Sequence, residues 1–372
     1  MGLKLLLRYP VDIRRARRLL EHRNESMPEP TSRPLVLDLR TSQLTFDCGR
    51  HFQSIAYYAD RAGASTVLRC SNLVLSGIAR KVFGREMLAQ PYVYRIAPSQ
   101  SLPQGSVVLG DYEPDRREQA EMQRAGVTFL RMLIGRDVDR SVPVMPYPMH
   151  PATLRYLADA DLTGLRRRTN HRQAILFAGC QKARYGDSWM RREFGILSRL
   201  EILNTLREQF SGRIQDSLQQ SGGSRPIVLM DSRSHGIPAS QWLPTLAAAR
   251  FFLCCPGGRQ PLCHNLIEAM SVGTIPIVEY GDRITPELVD GETAICFRGR
   301  EGLLDAIRRI DGMTSEQLIA QSRRVAEFYD RHLCGTRFLR GLREGAIDAS
   351  RGELSMPFHE RNLYAVRRLQ AA

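Results

Sequence analysis

Residues 251–278 read Phe251-Phe252-Leu253-Cys254-Cys255-Pro256-Gly257-Gly258-Arg259-Gln260-Pro261-Leu262-Cys263-His264-Asn265-Leu266-Ile267-Glu268-Ala269-Met270-Ser271-Val272-Gly273-Thr274-Ile275-Pro276-Ile277-Val278. The unbroken apolar run at 251–254 is the pattern of a strand buried on both faces. Pro256-Gly257-Gly258 then turns the chain, 264–272 follows as a helix that Gly273 stops, and 275–279 is a second buried strand entered through a proline. A buried strand, a glycine turn, a helix and another buried strand make one crossover of a parallel sheet. The turn and the amide groups at the start of the helix suit an anion, and Arg259 and His264 add cationic or donor groups beside it. Glu268 lies four residues beyond His264, on the same helix face and one turn deeper. A diphosphate at the turn, with a ribose reaching Glu268, fits that spacing.

The same alternation runs outward in both directions. Upstream are strands over 174–178 and 227–230 and helices over 191–209 and 239–249; downstream are a strand over 294–297 and a helix over 301–310. The first half of the chain repeats the theme, with strands over 35–39, 66–68, 107–109 and 127–130 and helices over 51–62, 73–83 and 113–125. Between the halves, Val142-Pro143-Val144-Met145-Pro146-Tyr147-Pro148-Met149-His150-Pro151 is too rich in proline for a central strand or a helix interior and marks a hinge. The fold class expected is therefore α/β, with two Rossmann-like domains facing across a cleft at the carboxyl ends of their sheets. The boundaries read as a basic segment and linker over 1–30, an N-terminal domain over 31–145, a C-terminal domain over 146–345, and a tail over 346–372 free to return to the N-terminal domain.

Composition agrees with two ordinary cores. The chain has 372 residues, 43% of them apolar and 25% charged, which excludes collagen-like, coiled-coil and wholly disordered readings. Lys and Arg exceed Asp and Glu by 53 to 39, a net charge of +14, so anionic partners are expected. The eight cysteines show neither a CxxC pair nor metal-ligand spacing and read as buried thiols of a reducing compartment. No apolar run is long enough to span a membrane, and the opening Met1-Gly2-Leu3-Lys4-Leu5-Leu6-Leu7-Arg8 is too short in its apolar core for a secretory signal. A cytoplasmic location follows. Arginines interleaved with Val11, Leu19 and Leu20 within 1–23 outline a basic amphipathic helix that would lean on the inner, anionic membrane face, or stand as a solvated helix.

The segments "CCPGG…HNLIEAMSVGTIPIV" and "TPELVDGETAICF" together resemble the donor-binding half of GT-B glycosyltransferases, most closely the exostosin-type group. The upstream "AILFAGC", with Arg191-Arg192 opening the next helix, is similar to the "FFAG…R" element of the same group. The resemblance covers roughly 172–300, and the N-terminal half matches in layout only. It implies that Glu268 holds the ribose of a nucleoside-diphosphate sugar, such as a UDP- or GDP-sugar, and that Gly257, Gly258, His264 and Asn265 face its diphosphate. Lys182 and Arg184, after the 174–178 strand, are further candidates for the phosphates. Many retaining GT-B enzymes carry a second glutamate eight residues before the helix glutamate; that position is Gln260 here, which leans the expectation toward an inverting enzyme.

The N-terminal half offers Asp38 within its first strand and Asp47-Cys48-Gly49-Arg50-His51 before its first helix. A histidine at a helix entrance suits a general base, so His51 is the first candidate, with Asp47 and Asp111 as alternatives and helix capping or an exposed turn as their structural readings. Walker, GxGxxG, HExxH and GxSxG signatures are absent. Asp159-Ala160-Asp161 has the letters of a metal-binding pair but lies in a helical stretch, so neither a metal nor another cofactor is expected. The function expected is sugar transfer to a glycan or lipid-linked hydroxyl, inverting and metal-independent. The rivals are a sugar-nucleotide epimerase or hydrolase on the same fold, a sugar-nucleotide binder without turnover, and a nucleic-acid-binding protein. The last lacks a reader motif and, at 7% aromatic residues, lacks stacking platforms, so no nucleic acid is expected as a partner.

Overall fold

The computed structural model describes residues 3–21, 33–41, 47–135, 138–157, 161–167, 172–217 and 226–358. The chain divides into two compact units, Met1–Pro151 with Gly335–Ala372, and Ala152–Cys334. The first carries α1 (Leu3–Glu21), β1 (Leu35–Leu39), α2 (Arg50–Arg61), β2 (Thr66–Cys70), α3 (Asn72–Arg80), α4 (Val82–Leu88), β3 (Val93–Ile96), β4 (Val107–Gly110), α5 (Arg116–Arg124) and β5 (Thr128–Ile134). From the boundary onward come α6 (Pro151–Leu157), α7 (Leu162–Arg167), β6 (Arg172–Gly179), α8 (Trp189–Phe194), α9 (Arg199–Gln209), β7 (Ile214–Gln215) and β8 (Ile227–Asp231). The second unit is completed by α10 (Ala239–Ala248), β9 (Ala249–Cys254), α11 (His264–Ser271), β10 (Ile275–Val278), β11 (Ile295–Cys296), α12 (Gly299–Asp311) and α13 (Ser315–Phe328). The chain then returns to the first unit with α14 (Gly335–Glu344) and β12 (Glu353–Met356).

Each unit is built on one parallel six-stranded sheet, ordered β12-β5-β4-β1-β2-β3 in the first and β11-β10-β9-β6-β8-β7 in the second. Parallel pairing needs crossovers, so in each unit the loops leaving the strands gather at one sheet edge. β1, β9 and β10 are buried at every position, the charged Asp38 and Arg250 included, as strands covered on both faces.

Several elements differ from the sequence reading. The helix expected over 73–83 is two helices, broken at Lys81, whose backbone is extended (φ −89°, ψ 143°). Gly84 permits that fold-back, since a Cβ there would lie 2.2 Å from the carbonyl oxygen of Ile78. The helix over 191–209 is likewise α8 and α9, separated by left-handed Gly195 and restarted by a capping box between Ser198 and Glu201. α5 starts at Arg116 because Asp115 caps it through the backbone N–H of Glu118. β5 runs on to Ile134 because β12 pairs with it from Glu353↔Arg131 to Met356↔Ile134. The proline-rich strip joins the same edge: the Met145 N–H donates to the Ser355 carbonyl at 2.8 Å and the Ser355 N–H to the Pro143 carbonyl at 2.9 Å. Met145, Tyr147 and Met149 are buried in the first unit.

α1 is not a free amphipathic helix. It packs on α3, burying Asp12, Ile13 and Ala16, and turns Arg14, Arg15, Arg17 and Arg18 to solvent. Val11 stays exposed, and Leu19 and Leu20 are half-buried. Among the described residues no helix is long and apolar enough to cross a membrane.

Candidate functional site

At the carboxyl edge of the second sheet, the loop after β9 closes tightly on itself. A Cβ on Gly257 would lie 2.8 Å from the Gln260 carbonyl oxygen, so glycine is required there. Gly258 is exposed, and a Cβ on it would meet the Tyr185 ring at 3.5 Å. The indole N–H of Trp189 donates to the Arg259 carbonyl at 3.0 Å, and the Arg259 guanidinium lies 5.6 Å above the Trp189 ring. α11 begins at His264, and its N-cap, Cys263, contributes no side-chain cap to the first turn. The Asn265 amide donates to the Ala178 carbonyl at 3.4 Å and ties this first turn to the end of β6. The structure thus brings Gly257, Gly258, Arg259, His264 and Asn265 together, as their spacing requires.

The remaining candidates of this unit fall differently. Glu268 is fully buried and its carboxylate accepts from the Trp242 indole N–H at 2.7 Å, so a side chain expected to face ligand is held from α10. Arg191 is exposed and paired with Glu201 at 2.5 Å. Lys182 and Arg184 are exposed on the loop after β6, with Arg184 donating to the Tyr185 hydroxyl at 3.0 Å. The arginine that does enter the strand-end region is Arg199, the first residue of α9. It donates to the carbonyls of Cys180 at 2.9 Å and Pro256 at 3.0 Å, and lies 3.9 Å above the Tyr185 ring. Sequence reasoning passed over it because arginines are abundant in this chain and a residue type carries no mark of burial.

In the first unit, Asp47, Cys48 and Gly49 all have left-handed backbones, with φ of 48°, 60° and 82°. For non-glycine residues this conformation costs roughly 1–2 kcal/mol each, so the surroundings must hold it. They do: the Arg50 guanidinium reaches the Asp47 carboxylate at 2.5 Å and the Tyr147 hydroxyl at 2.9 Å, and Gly49 packs so closely that a Cβ would lie 2.8 Å from the Gly84 nitrogen. His51 is only 2% exposed. Its ring stacks on Phe358 at 3.9 Å and meets Tyr147 edge-on at 5.5 Å, with Nε2 3.9 Å from the Asp47 carboxylate. Burial, reinforced by the Arg50 charge, lowers its pKa well below the ordinary histidine value. His150 is pushed down to about 4 by burial and by Arg50, with Asp47 opposing.

Asp111 belongs to a second cluster. Its carboxylate accepts from the backbone N–H groups of Arg40 at 2.7 Å and Thr41 at 2.9 Å, pinning the loop after β1 to the end of β4. Burial raises its pKa against those hydrogen bonds. Beside it, Asp38 accepts from Arg69 at 2.8 Å and from the Tyr112 hydroxyl at 2.7 Å, and the Arg40 guanidinium covers the Tyr112 ring at 3.3 Å. A polar groove of about 590 Å³ opens next to this cluster, lined by Arg69, Gln100, Arg117, Glu118 and Arg124 among others.

Of the three base candidates, Asp47 has a half-exposed side chain, whereas His51 is closed off by rings and Asp111 is engaged by backbone. Among the described residues no group of three or more His, Cys, Asp or Glu side chains is placed to hold a metal ion. Asp159 and Ala160 of the Asp-Ala-Asp stretch lie outside the described residues.

No family model and no curated protein matches this chain. Solved structures to which it is similar include an alpha-glucosyltransferase in complex with UDP and a 13-mer DNA containing a central A:G mismatch, at 10% identity and a TM-score of 0.37, covering 81% of this chain and 96% of that one. The N-terminal domain of Candida albicans trehalose-6-phosphate phosphatase is similar at 9% identity and a TM-score of 0.42, covering 86% and 97%. WaaG, a glycosyltransferase involved in lipopolysaccharide biosynthesis, is similar at 13% identity and a TM-score of 0.36, covering 84% and 98%. Likeness at this level assigns no role to any residue here. The chain's own two parallel sheets with flanking helices make an α/β two-domain architecture consistent with the GT-B fold.

Proposed function

We propose that this protein is a glycosyltransferase that binds a nucleoside-diphosphate sugar on its second unit and transfers the sugar, with inversion and without a divalent metal, to a glycan or lipid-linked hydroxyl bound by its first unit. The observation that carries the reading is the Gly257-Gly258 turn at the carboxyl edge of the second sheet, beside a helix start without a side-chain cap and a buried guanidinium. Backbone N–H groups, the helix dipole and arginine charge in that arrangement stabilise the negative charge that develops on a departing diphosphate. The resemblance of 172–300 to exostosin-type donor domains supports the same reading. A ribose would use Glu268 by taking the place of the Trp242 indole N–H on its carboxylate.

Asp47 is the proposed general base. Its side chain is half exposed, and Arg50 orients the carboxylate from one side. The neutral ring of His51 stands behind it and adds no competing charge at neutral pH. The deciding experiment is a thermal-shift panel of UDP, GDP, ADP, CMP and dTDP in EDTA, because a ligand that binds only the folded state raises the melting temperature. Stabilisation by one nucleotide without metal is expected. No shift with any nucleotide, or transfer activity that EDTA abolishes and magnesium or manganese restores, would overturn the corresponding part of the reading.

We also place the exposed arginine face of α1 on an anionic membrane surface, as a lipid-linked acceptor would require. With Ile13 and Ala16 of α1 buried in its own unit, the attraction is chiefly electrostatic, at about 1 kcal/mol per basic residue. Reversing Arg14, Arg17 and Arg18 to glutamate is expected to abolish co-sedimentation with phosphatidylserine vesicles at low salt, and unchanged sedimentation would refute the placement.

A further inference from the structure

Arg199 is 7% exposed, yet among the described residues no carboxylate pairs with it. A buried charge without a counter-ion is costly, and a protein keeps one where something else completes it. Two of its terminal N–H groups are used on carbonyls, one from Cys180 immediately after β6 and one from Pro256 immediately before Gly257. Its Nε–H has no hydrogen-bond partner. The guanidinium lies directly over the end of β6, where a Cβ on Gly179 would come within 3.7 Å of it, and Tyr185 covers one of its faces. Tyr185 in turn packs at Gly258. One planar group therefore joins the loops after two adjacent strands at the place where the glycine turn begins, and carries a full positive charge there.

Building on the donor reading above, we propose that Arg199 is the positioning residue of the diphosphate site, fixing the Gly257-Gly258 turn through the Pro256 carbonyl and supplying the unneutralised charge for which the diphosphate is the counter-ion. The exposed arginines nearby are poorer candidates. Arg191 already has Glu201 as its counter-ion, and Arg259 leans on Trp189 with its charge in water. Lysine cannot replace Arg199 in full, because a single ammonium group does not hold two carbonyls in one plane while stacking on a ring.

The test uses the full chain with Arg199→Gln and Arg199→Lys, titrated calorimetrically in EDTA with inorganic pyrophosphate and with the nucleotide selected by the thermal-shift panel. Arg199→Gln is expected to weaken both ligands at least about tenfold and to reduce the salt dependence of binding; Arg199→Lys should keep the salt dependence but recover only part of the affinity. A purely structural role would lower the melting temperature of the variants and leave the pyrophosphate affinity and its salt dependence as in wild type, which would overturn the proposal. Should Arg199→Gln fail to fold, Arg199→Lys decides, and wild-type affinity in that variant would be fatal. Nucleotide binding that is indifferent to Arg199 would remove this assignment and leave the donor reading standing. Pyrophosphate binding that depends on Arg199, without binding of any nucleotide, would do the reverse. Wild-type protein that binds neither ligand would overturn both.

Discussion

Replacing Asp47 by asparagine is expected to lower the rate of sugar transfer by on the order of 10²–10⁴-fold, the usual loss when a general base is removed, with nucleotide affinity unchanged. Asparagine is nearly isosteric and can still accept from Arg50, so the left-handed turn at Asp47-Cys48-Gly49 should survive and the effect should fall on kcat. Asp111→Asn and His51→Gln serve as comparisons. Both disturb buried contacts, the Arg40 and Thr41 amides in one case and the Phe358 ring in the other, and should lower stability more than turnover. Near-normal kcat in Asp47→Asn with a large loss in Asp111→Asn would transfer the role to Asp111. A product that keeps the donor's anomeric configuration would sink single displacement for any base.

The second large effect is on stability in acid. His51 and His150 both have folded pKa values below the unfolded value of about 6.5, so below that pH the unfolded chain binds protons that the folded first unit refuses. Their contribution is complete above pH 6.5 and is lost as the pH falls toward the folded values, about 4 for His150. Each histidine costs up to about 1.4 kcal/mol per pH unit across that window. The raised pKa values of Asp111 in the first unit and Glu279 in the second act with the opposite sign at the acid end, so the histidine contribution is read as a difference from variants. The molecule contains its own control: both tryptophans, Trp189 and Trp242, belong to the second unit, so indole fluorescence follows that unit alone while far-UV circular dichroism follows both. Between pH 7.5 and 5 the denaturation midpoint of the first unit should fall steeply and that of the second much less. His150→Gln should remove about half of the steep dependence. A first-unit midpoint independent of pH over this range would show that the histidines are not held neutral.

What was legible in the sequence is what short-range patterns encode. Runs such as Leu35-Val36-Leu37 and Phe251-Phe252-Leu253 announce strands buried on both faces, and only a parallel sheet covered by helices accommodates many of them. The glycine turn and the helix behind it were equally plain, because Gly257 answers a local steric demand that few other residues can meet. Capping boxes were legible too: the one at Ser198 divides the helix read over 191–209, and the one at Asp115 moves the start of the helix read over 113–125 to Arg116, whereas the break at Lys81 carries no such signal.

The tertiary structure decided which of the chemically suitable side chains face solvent and which are held inside. Arg199 meets Pro256, Glu268 meets Trp242, His51 meets Phe358, and β12 comes back to β5 from the far end of the chain. Each of these contacts joins residues remote in sequence. A periodic pattern reports only that a residue turns inward; its partner, and therefore whether its charge is neutralised, is set by strand order and by which loops share a sheet edge. The fold class and the tight glycine turn at Gly257 were thus determined by local sequence. The burial of Arg199, the closure of His51 and the exposure of Asp47 were decided only when distant segments packed, because burial and ionisation are properties of a residue's surroundings rather than of its type.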